Sequence, residues 1–263
     1  VIFDERHHCA GSHIDNANAW GEQIILNIKD KAKFSLALTG TPWRSDSAPI
    51  VLSNYMHPSN KISCDYVYGL TEAITDDVCR VPQIIAIDNN NISVTDDEET
   101  KTFNSFKCLL AQSVIPYQDI IENEKVMDYI ITSAQKKLNK IRAVNSDAAG
   151  LIVASSVEHA RQIATLMTNN FNEEPVVVTY RENEPTGIIQ KFRHSKSKWI
   201  ISVGMISEGT NIPRLQVCCH LTNIKTEMHF RQILGRILRI THAKNREAIL
   251  YMPAEPKLLE YAY

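Results

Sequence analysis

Short apolar runs alternate with amphipathic segments along the chain, and this alternation limits the fold more than any other feature of the sequence. Runs of about four to eight β-forming residues recur between longer patterns with helical spacing. Short buried strands joined by crossover helices form parallel sheets, whose functional loops lie at the carboxyl ends of the strands. The sequence therefore predicts an α/β protein. The predicted strands are 1–3, 34–39, 64–68, 83–87, 150–154, 175–179, 199–203, 215–221 and 248–252.

The segments between these strands are predicted to be mainly helical. One exception is the polar segment 88–102, whose three consecutive asparagines and acidic cluster predict a loop or a hairpin tip. Apolar residues at helical spacing predict the helices. The predicted helices are 16–29, 71–77, a helical region over 106–145, 157–171, 184–193 and 226–240.

Composition excludes several classes of protein. A chain of 263 residues that is 44% hydrophobic and 22% charged is neither disordered nor collagen-like. It has no apolar stretch of the roughly 20 residues that a membrane helix needs, and its first residues resemble neither a signal nor a transit peptide. We therefore expect a soluble cytoplasmic protein. The six cysteines form no C-x-x-C pair, which favours reduced, mostly buried thiols, and the net charge of −2 does not decide for or against nucleic acid.

Glycine usage excludes one nucleotide-binding motif. None of the nine glycines is followed by lysine, so these 263 residues contain no G-x-x-x-x-G-K-[ST] phosphate loop. The segment that comes nearest begins at Gly204 and has Thr210 where the motif needs lysine. Any nucleotide chemistry inferred from this sequence is therefore incomplete within it.

The first chemical motif follows the first predicted strand, where Asp4 and Glu5 end the run VIFDE. At the end of a buried strand an aspartate can bind Mg²⁺, while a glutamate orients or deprotonates an attacking water. A pair of solvated charges that caps a strand end is the alternative reading of these two residues alone.

The second motif ends the strand of FSLALTGTPWR, where Thr39 and Thr41 are compact hydroxyl residues around Gly40. They are small enough to contact a neighbouring loop and the backbone of a ligand. The same pattern is also typical of a simple strand-to-turn junction.

Two further motifs lie in the last third of the chain. In FRQILGRILR, helical spacing places Gln232, Arg236 and Arg239 on one face, where planar guanidinium groups can bind phosphate oxygens. A solvated helix face is the alternative. Before it, SEGTNIP places residues 208–211 in a turn closed by Pro213, and its glycine allows close backbone approach to a ligand.

Taken in order, these motifs resemble the superfamily 2 helicases and translocases. Asp4 to His7 is similar to the D-E-x-H form of motif II, and 39–42 to motif III. Residues 151–160 are similar to motif IV, 209–213 to motif V and 232–239 to motif VI. The T-G-T-P-W-R-S-D and M-I-S-E-G-T-N-I-P-R runs look most like the bacterial and phage branch related to translocating subunits of restriction enzymes, the type III enzymes in particular.

The resemblance implies two RecA-like domains with parallel sheets, the first of them incomplete, with ATP in the cleft between them and nucleic acid crossing the opposite side. The corresponding bounds are 1–105 for the later part of the first domain, 106–145 for a helical connector and 146–263 for the second domain. Motif I, with its phosphate loop, is absent from these residues. We therefore expect the chain to be the later part of a longer polypeptide, with roughly 100–150 residues ahead of Val1, and to be inactive alone.

The resemblance also implies a role for each matching residue. Asp4 would bind Mg²⁺, Glu5 would be the catalytic base, and His7 would couple the ATP site to Gln232. The arginine fingers would be Arg236 and Arg239. Thr39 and Thr41 would link the ATP site to nucleic acid, and Gly209 and Asn211 would approach the nucleotide. The contacts with nucleic acid would be Ser155, Ser156, Thr179 and Thr210.

These assignments predict an ATP-dependent helicase or translocase whose cofactors are ATP and Mg²⁺. Its partner would be nucleic acid, DNA more than RNA, held without base readout, and a partner subunit or fused domain is also expected. One alternative is a binding or interaction module that kept the helicase shape without catalysis. Another is a metal site made of Asp4, His7, His8 and His13, although adjacent histidines on a strand point to opposite faces.

Overall fold

A computed structural model describes residues 1–44, 46–96, 99–206, 210–241 and 246–262. The chain divides into two compact units. No helix in these ranges combines the length and the apolar character that crossing a lipid bilayer requires.

Unit 1 comprises residues 1–69 and 226–231 and contains only short strands. Strand β1 pairs in parallel with β2, with Ile2 opposite Leu36 and Phe3 opposite Ala37, and β3 and β4 form an antiparallel pair. Within residues 1–69 the elements are β1 (Ile2–Phe3), α1 (Ala19–Asn27), β2 (Leu36–Ala37), β3 (Tyr55–Met56) and β4 (Lys61–Ile62).

Helix α1 is fixed at its start by a side-chain cap and a close backbone contact. The Asn18 side chain accepts the backbone N–H of Gly21 at 2.9 Å, which satisfies one of the amides that the first helical turn leaves without a partner. Gly21 packs directly on residue 10, because a Cβ at this position would lie 1.9 Å from the carbonyl oxygen of Ala10. This packing holds the loop after β1 against α1.

Unit 2 comprises residues 70–225 and 232–263. Six of its strands form one parallel sheet in the order β5-β12-β11-β8-β10-β9, and β6 and β7 form a separate antiparallel hairpin. The strands are β5 (Val81–Ile87), β6 (Ile92–Asp96), β7 (Glu99–Phe103), β8 (Ala149–Ala154), β9 (Val176–Val178), β10 (Trp199–Ser202), β11 (Leu215–Leu221) and β12 (Glu247–Pro253).

Most helices of this part of the chain lie between consecutive parallel strands, and one helix lies before the first of these strands and another after the last. Helix α8 begins in the segment that belongs to unit 1 and continues into unit 2. The helices are α2 (Leu70–Thr75), α3 (Phe106–Gln112), α4 (Tyr117–Ile121), α5 (Glu124–Arg142), α6 (Val157–Phe171), α7 (Pro185–His194), α8 (Glu227–Ile237) and α9 (Pro256–Ala262).

The centre of the sheet is the core of unit 2. Every residue of β8, β10 and β11 is buried, as expected for parallel strands covered on both faces. The α/β fold class predicted from the sequence is confirmed, with parallel pairing in both units. The polar segment 88–102, predicted to be a loop or a hairpin tip, forms most of the antiparallel hairpin of β6 and β7, which ends at Phe103.

Several predicted elements differ from the structure. The predicted strand 34–39 is limited to Leu36–Ala37 and the predicted helix 16–29 to Ala19–Asn27. No strand forms at 64–68, because its β-forming residues have no partner strand and Tyr66 is 80% exposed. The predicted helix 226–240 ends at Ile237. The domain bounds 1–105, 106–145 and 146–263 stay a prediction, although β5, which lies within the first of these ranges, pairs with β12 in the sheet of unit 2.

Candidate functional site

The acidic pair follows β1 in unit 1, as the sequence predicts, and both side chains are exposed. Asp4 Oδ1 accepts the backbone N–H of Glu5 at 3.0 Å. Glu5 has φ 50° and ψ 44°, a left-handed conformation that costs a residue with a Cβ roughly 1–2 kcal/mol. Such strain is concentrated at functional sites in proteins, and here it turns the chain sharply between the two carboxylates and the buried His7.

His7 joins the first two motifs. It is only 2% exposed, and its Nδ1 lies 2.9 Å from Thr39 Oγ1 and 3.3 Å from Thr41 Oγ1. A Glu5 carboxylate oxygen lies 3.4 Å from the same nitrogen. The structure therefore brings together four residues that the sequence assigned to two separate motifs, Glu5, His7, Thr39 and Thr41.

Arg44 binds the backbone of this group through a hydrogen bond. Its Nη1 donates to the backbone carbonyl of His7 at 2.6 Å, and its guanidinium binds both carboxylate oxygens of Asp46, at 2.9 and 2.6 Å. The hydrogen bond from Arg44 lowers the pKa of Asp46. The sequence analysis did not assign Arg44 to the site, since only the fold shows which carbonyl its side chain reaches.

The two predicted arginine fingers converge in unit 2. Arg236 Nη1 and Arg239 Nη1 donate to the carbonyl oxygen of Thr210, at 2.6 and 3.0 Å. Arg239 Nη1 also donates to Asn211 Oδ1 at 2.6 Å. Because α8 ends at Ile237, Arg239 does not lie on the helical face that the spacing predicted. It lies instead in an antiparallel bridge with Cys79. Below, Arg236 and Arg239 are called the arginine pair.

Two features near the arginine pair concern its candidate ligand: the positive charge of Arg193 and the hydroxyl of Thr210. Burial lowers the pKa of Arg239, and the nearby positive charge of Arg193 lowers it further. Among the described residues, the buried hydroxyl of Thr210 has no hydrogen-bond partner. A concentration of guanidinium groups beside an unsatisfied donor suits a phosphate ligand. The residues present therefore fit a nucleotide phosphate.

Of two other predicted nucleotide-site residues, the structure describes one. Gln232 is half-buried on α8, and Gly209 lies outside the described residues. Asp4 remains the candidate Mg²⁺ ligand, because Mg²⁺ at phosphate-transfer sites takes one or two carboxylates and completes its shell with water and phosphate. In the described ranges no cluster of three or more His, Cys, Asp and Glu side chains is suited to a metal ion, so the alternative of a site with His7, His8 and His13 gains no support.

Three of the predicted nucleic-acid contacts lie where strands of unit 2 end. Ser155 and Ser156 follow β8 and Thr179 follows β9, and the carboxyl ends of these parallel strands share one edge of the sheet. Thr210 does not lie at the end of a strand. It belongs to the segment between β10 and β11, where its carbonyl accepts from Arg236 and Arg239.

The first of these serines has a buried hydrogen-bond network. Ser155 Oγ lies 2.8 Å from Glu122 Oε1 and 2.8 Å from Nδ1 of His159. His159 is buried, and this burial lowers its pKa from the usual 6.5, although the negative charge of Glu122 opposes the shift. Ser155 is therefore held by α4 and α6 together, which the sequence analysis did not predict.

The hydroxyls of Ser156 and Thr179 also have partners within the chain. Ser156 is the N-cap of α6 and accepts the backbone N–H of His159 at 3.0 Å. Thr179 is 1% exposed, and its hydroxyl donates to Glu182 Oε1 at 3.3 Å. Both hydroxyls therefore fix the loops at this edge of the sheet.

Comparison with known proteins gives matches over the region that holds the arginine pair. Residues 133–241 match the family of the helicase conserved C-terminal domain. An uncharacterized protein of Mycobacterium tuberculosis is 32% identical to the chain over 269 aligned residues, which cover 100% of this chain and 43% of that protein. The DNA 3'-5' translocase XPB2 of Sulfurisphaera tokodaii is 23% identical and is matched over 57% of its length by 95% of this chain.

A solved structure gives an independent comparison of the fold. A fragment assigned as the HsdR subunit of a type I restriction enzyme from Vibrio vulnificus aligns with a TM-score of 0.59 and 14% identity, over 92% of this chain and 43% of that one. At this identity the likeness concerns the fold alone. The chain spans less than half of the length of the mycobacterial relative.

Proposed function

The chain carries a helicase-type C-terminal domain of superfamily 2, and we propose that it serves an ATP-dependent DNA helicase or translocase. The observation that supports this most directly is the convergence of Arg236 and Arg239 on the carbonyl of Thr210, within the residues that match the helicase family. An enzyme that hydrolyses ATP needs positive charge that stabilises the γ-phosphate in the transition state. The arginine pair is proposed to supply it.

The carboxylates after β1 are proposed to act in the same reaction. ATP and Mg²⁺ together supply the phosphoryl group and neutralise part of its charge. Asp4 is the proposed Mg²⁺ ligand, and the exposed carboxylate of Glu5 orients the attacking water and accepts its proton. His7, buried against Thr39 and Thr41, keeps the acidic pair in a fixed position relative to the strand end of β2.

The nucleotide site needs a group that these residues do not contain. No phosphate loop with its lysine occurs in the 263 residues, and such a loop binds the β- and γ-phosphates in enzymes of this kind. We infer that hydrolysis requires the native-length protein and that residues 1–263 alone are inactive. This agrees with a chain that spans 43% of its mycobacterial relative.

The nucleic acid is proposed to lie along the carboxyl edge of the sheet in unit 2. Ser155, Ser156 and Thr179 belong to the loops there. Their hydroxyls have partners within the chain, so the backbone amides of these loops would bind phosphates, without reading bases. Thr210, the fourth proposed contact, lies in the segment that leads to the start of β11. DNA is favoured over RNA because one relative is a DNA translocase. A partner subunit or a fused domain, which the sequence resemblance implied, is part of the same proposal.

The test is nucleic-acid-stimulated ATP hydrolysis by the native-length protein, compared with its Glu5→Gln variant. Because the amide cannot accept the proton of the attacking water, we expect kcat to fall by about 10²–10⁴-fold. Asp65→Asn, which changes an exposed carboxylate of the same unit, is the control and should retain most of the activity. A wild-type protein that binds DNA but never hydrolyses ATP would favour the non-catalytic binding module.

A further inference from the structure

Arg80 is a charged side chain in the interior of unit 2 that no motif contains. It immediately precedes β5 and is 0% exposed. Among the residues that the structure describes, the guanidinium of Arg80 donates to backbone carbonyls and not to a carboxylate. Burial lowers the pKa of Arg80 to about 10, so it stays charged at neutral pH. A buried charge is costly unless hydrogen bonds compensate for it. The carbonyls that compensate for this charge therefore show which segments of the chain Arg80 holds in place.

The three carbonyls belong to two different segments. Nη1 of Arg80 donates to Leu215 O at 2.7 Å and to Ile237 O at 3.0 Å, and Nη2 donates to Pro213 O at 3.0 Å. The backbone N–H of Arg80 also donates to Leu238 O at 2.7 Å. One residue thus connects the loop 210–215, here called the Thr210 loop, to the end of α8.

These two segments are the ones that carry the arginine pair and its acceptor. Arg236 precedes Ile237, whose carbonyl Arg80 binds, and Arg239 pairs with the neighbour of Arg80 in the bridge to Cys79. We propose that Arg80 is a positioning residue that holds the arginine pair in register with the Thr210 loop. This inference rests on the proposed function for its catalytic consequence, but its geometric content can be measured separately.

Arginine suits this task better than lysine. Its planar fork presents five donors in fixed directions, whereas lysine has one compact ammonium on a flexible stem. A lysine at position 80 would keep the charge but could not span carbonyls that approach from two segments. Because displacement of a catalytic group by about 1 Å can cost 10²-fold in rate, we expect Arg80→Lys to lower kcat by about 10–100-fold. The KM for ATP should change by less than about threefold, because fingers act mainly in the transition state.

Arg214 is a second buried arginine, within the Thr210 loop itself, and provides the comparison. It is 7% exposed, and burial likewise lowers its pKa to about 10. Its guanidinium donates to the carbonyls of Asp147, Phe192 and Ser197, and none of these belongs to α8. Arg214→Lys should therefore weaken the attachment of the loop but leave its link to α8 in place, and kcat should fall by less than in Arg80→Lys.

The experiment compares both variants in the native-length protein by ATP hydrolysis, thermal unfolding and hydrogen exchange. In Arg80→Lys we expect amides of 210–215 and 232–239 to exchange at least about tenfold faster, while those of β8 are unchanged. In Arg214→Lys exchange should accelerate at residues 192–198 and 210–215 but not at 232–239. If Arg80→Lys does not unfold cooperatively, Arg80→Gln, which keeps one donor group, takes its place.

The outcomes separate this inference from the proposed function. Equal loss of kcat in the two variants, or unchanged exchange at 210–215 and 232–239, would overturn the positioning role of Arg80. A wild-type protein without ATP hydrolysis would overturn the proposed function, while the exchange data would still decide whether Arg80 holds the two segments together. In an active enzyme, Arg80→Lys should add little to the defect of Arg239→Lys, since both changes act on the same group.

Discussion

Units 1 and 2 differ most in how they hold their functional residues in place. In unit 1 large apolar side chains remain open to solvent, with Trp20 71% and Phe34 74% exposed. In unit 2 every residue of the central strands β8, β10 and β11 is buried. Unit 1 positions its loops through side chain-to-backbone hydrogen bonds, such as those of Asn18 and Arg44. A packed apolar core therefore holds the arginine pair in place, whereas hydrogen bonds between polar groups hold the acidic pair.

The largest expected effect of this difference is in native-state hydrogen exchange. We expect amides of β8 and β11 to exchange about 10⁴-fold more slowly than those of β1 and β2, because protection follows buried apolar contacts. Mass spectrometry of peptides after timed exchange measures this ratio. Equal protection of the amides in the two units would contradict the proposed difference between a packed core in unit 2 and a polar network in unit 1.

Truncation of side chains gives the next largest contrast. Leu250 is fully buried in β12, so Leu250→Ala should lower the free energy of unfolding of unit 2 by about 2–5 kcal/mol. Phe34→Ala in unit 1 should change stability by less than about 1 kcal/mol, since the ring is mostly exposed. Denaturant unfolding monitored separately for each unit tests both. A large loss of stability in Phe34→Ala would show that the ring of Phe34 is packed against other residues in solution.

The pH dependence of unit 2 gives a smaller effect. Burial lowers the pKa of His159 below 6.5, so the unfolded state binds a proton at higher pH than the folded state. The free energy of unfolding should therefore be fully retained above pH 6.5 and should fall as the pH drops through the folded pKa. We expect the stability difference between about pH 7.5 and pH 5.5 to become smaller in His159→Gln.

His194→Gln is the control for this titration, because His194 is exposed at the end of α7. Stability measured by chemical denaturation at each pH should show the original slope in this variant. The same slope in His159→Gln would mean that another group is responsible for the acid sensitivity of unit 2.

The two units also differ in how well the sequence predicts them. The bounds of α6 and β11 are those predicted, 157–171 and 215–221, because strands buried on both faces and amphipathic crossovers leave clear periodic patterns. The segment 64–68 has equally strong β-forming residues but no strand. Pairing partners decide such cases, and a local pattern does not contain them.

The candidate site divides in the same way. Short motifs identified Glu5, His7 and the arginine pair, because their chemistry is tied to local spacing. The contributions of Arg44 and Arg80 come from which carbonyls the folded chain brings to them. No spacing in the sequence gives that information, so these two positions emerge only from the structure.

The most direct test of the central claim is a double-mutant cycle between Glu5→Gln and Arg239→Lys, measured as DNA-stimulated ATP hydrolysis by the native-length protein. If the acidic pair and the arginine pair serve one reaction, each single change should lower kcat by about 10²–10⁴-fold, and the double variant should be little slower than the worse single variant. Fully multiplying effects in the double variant would show that the two pairs act independently of each other, and full activity in either single variant would contradict a shared reaction.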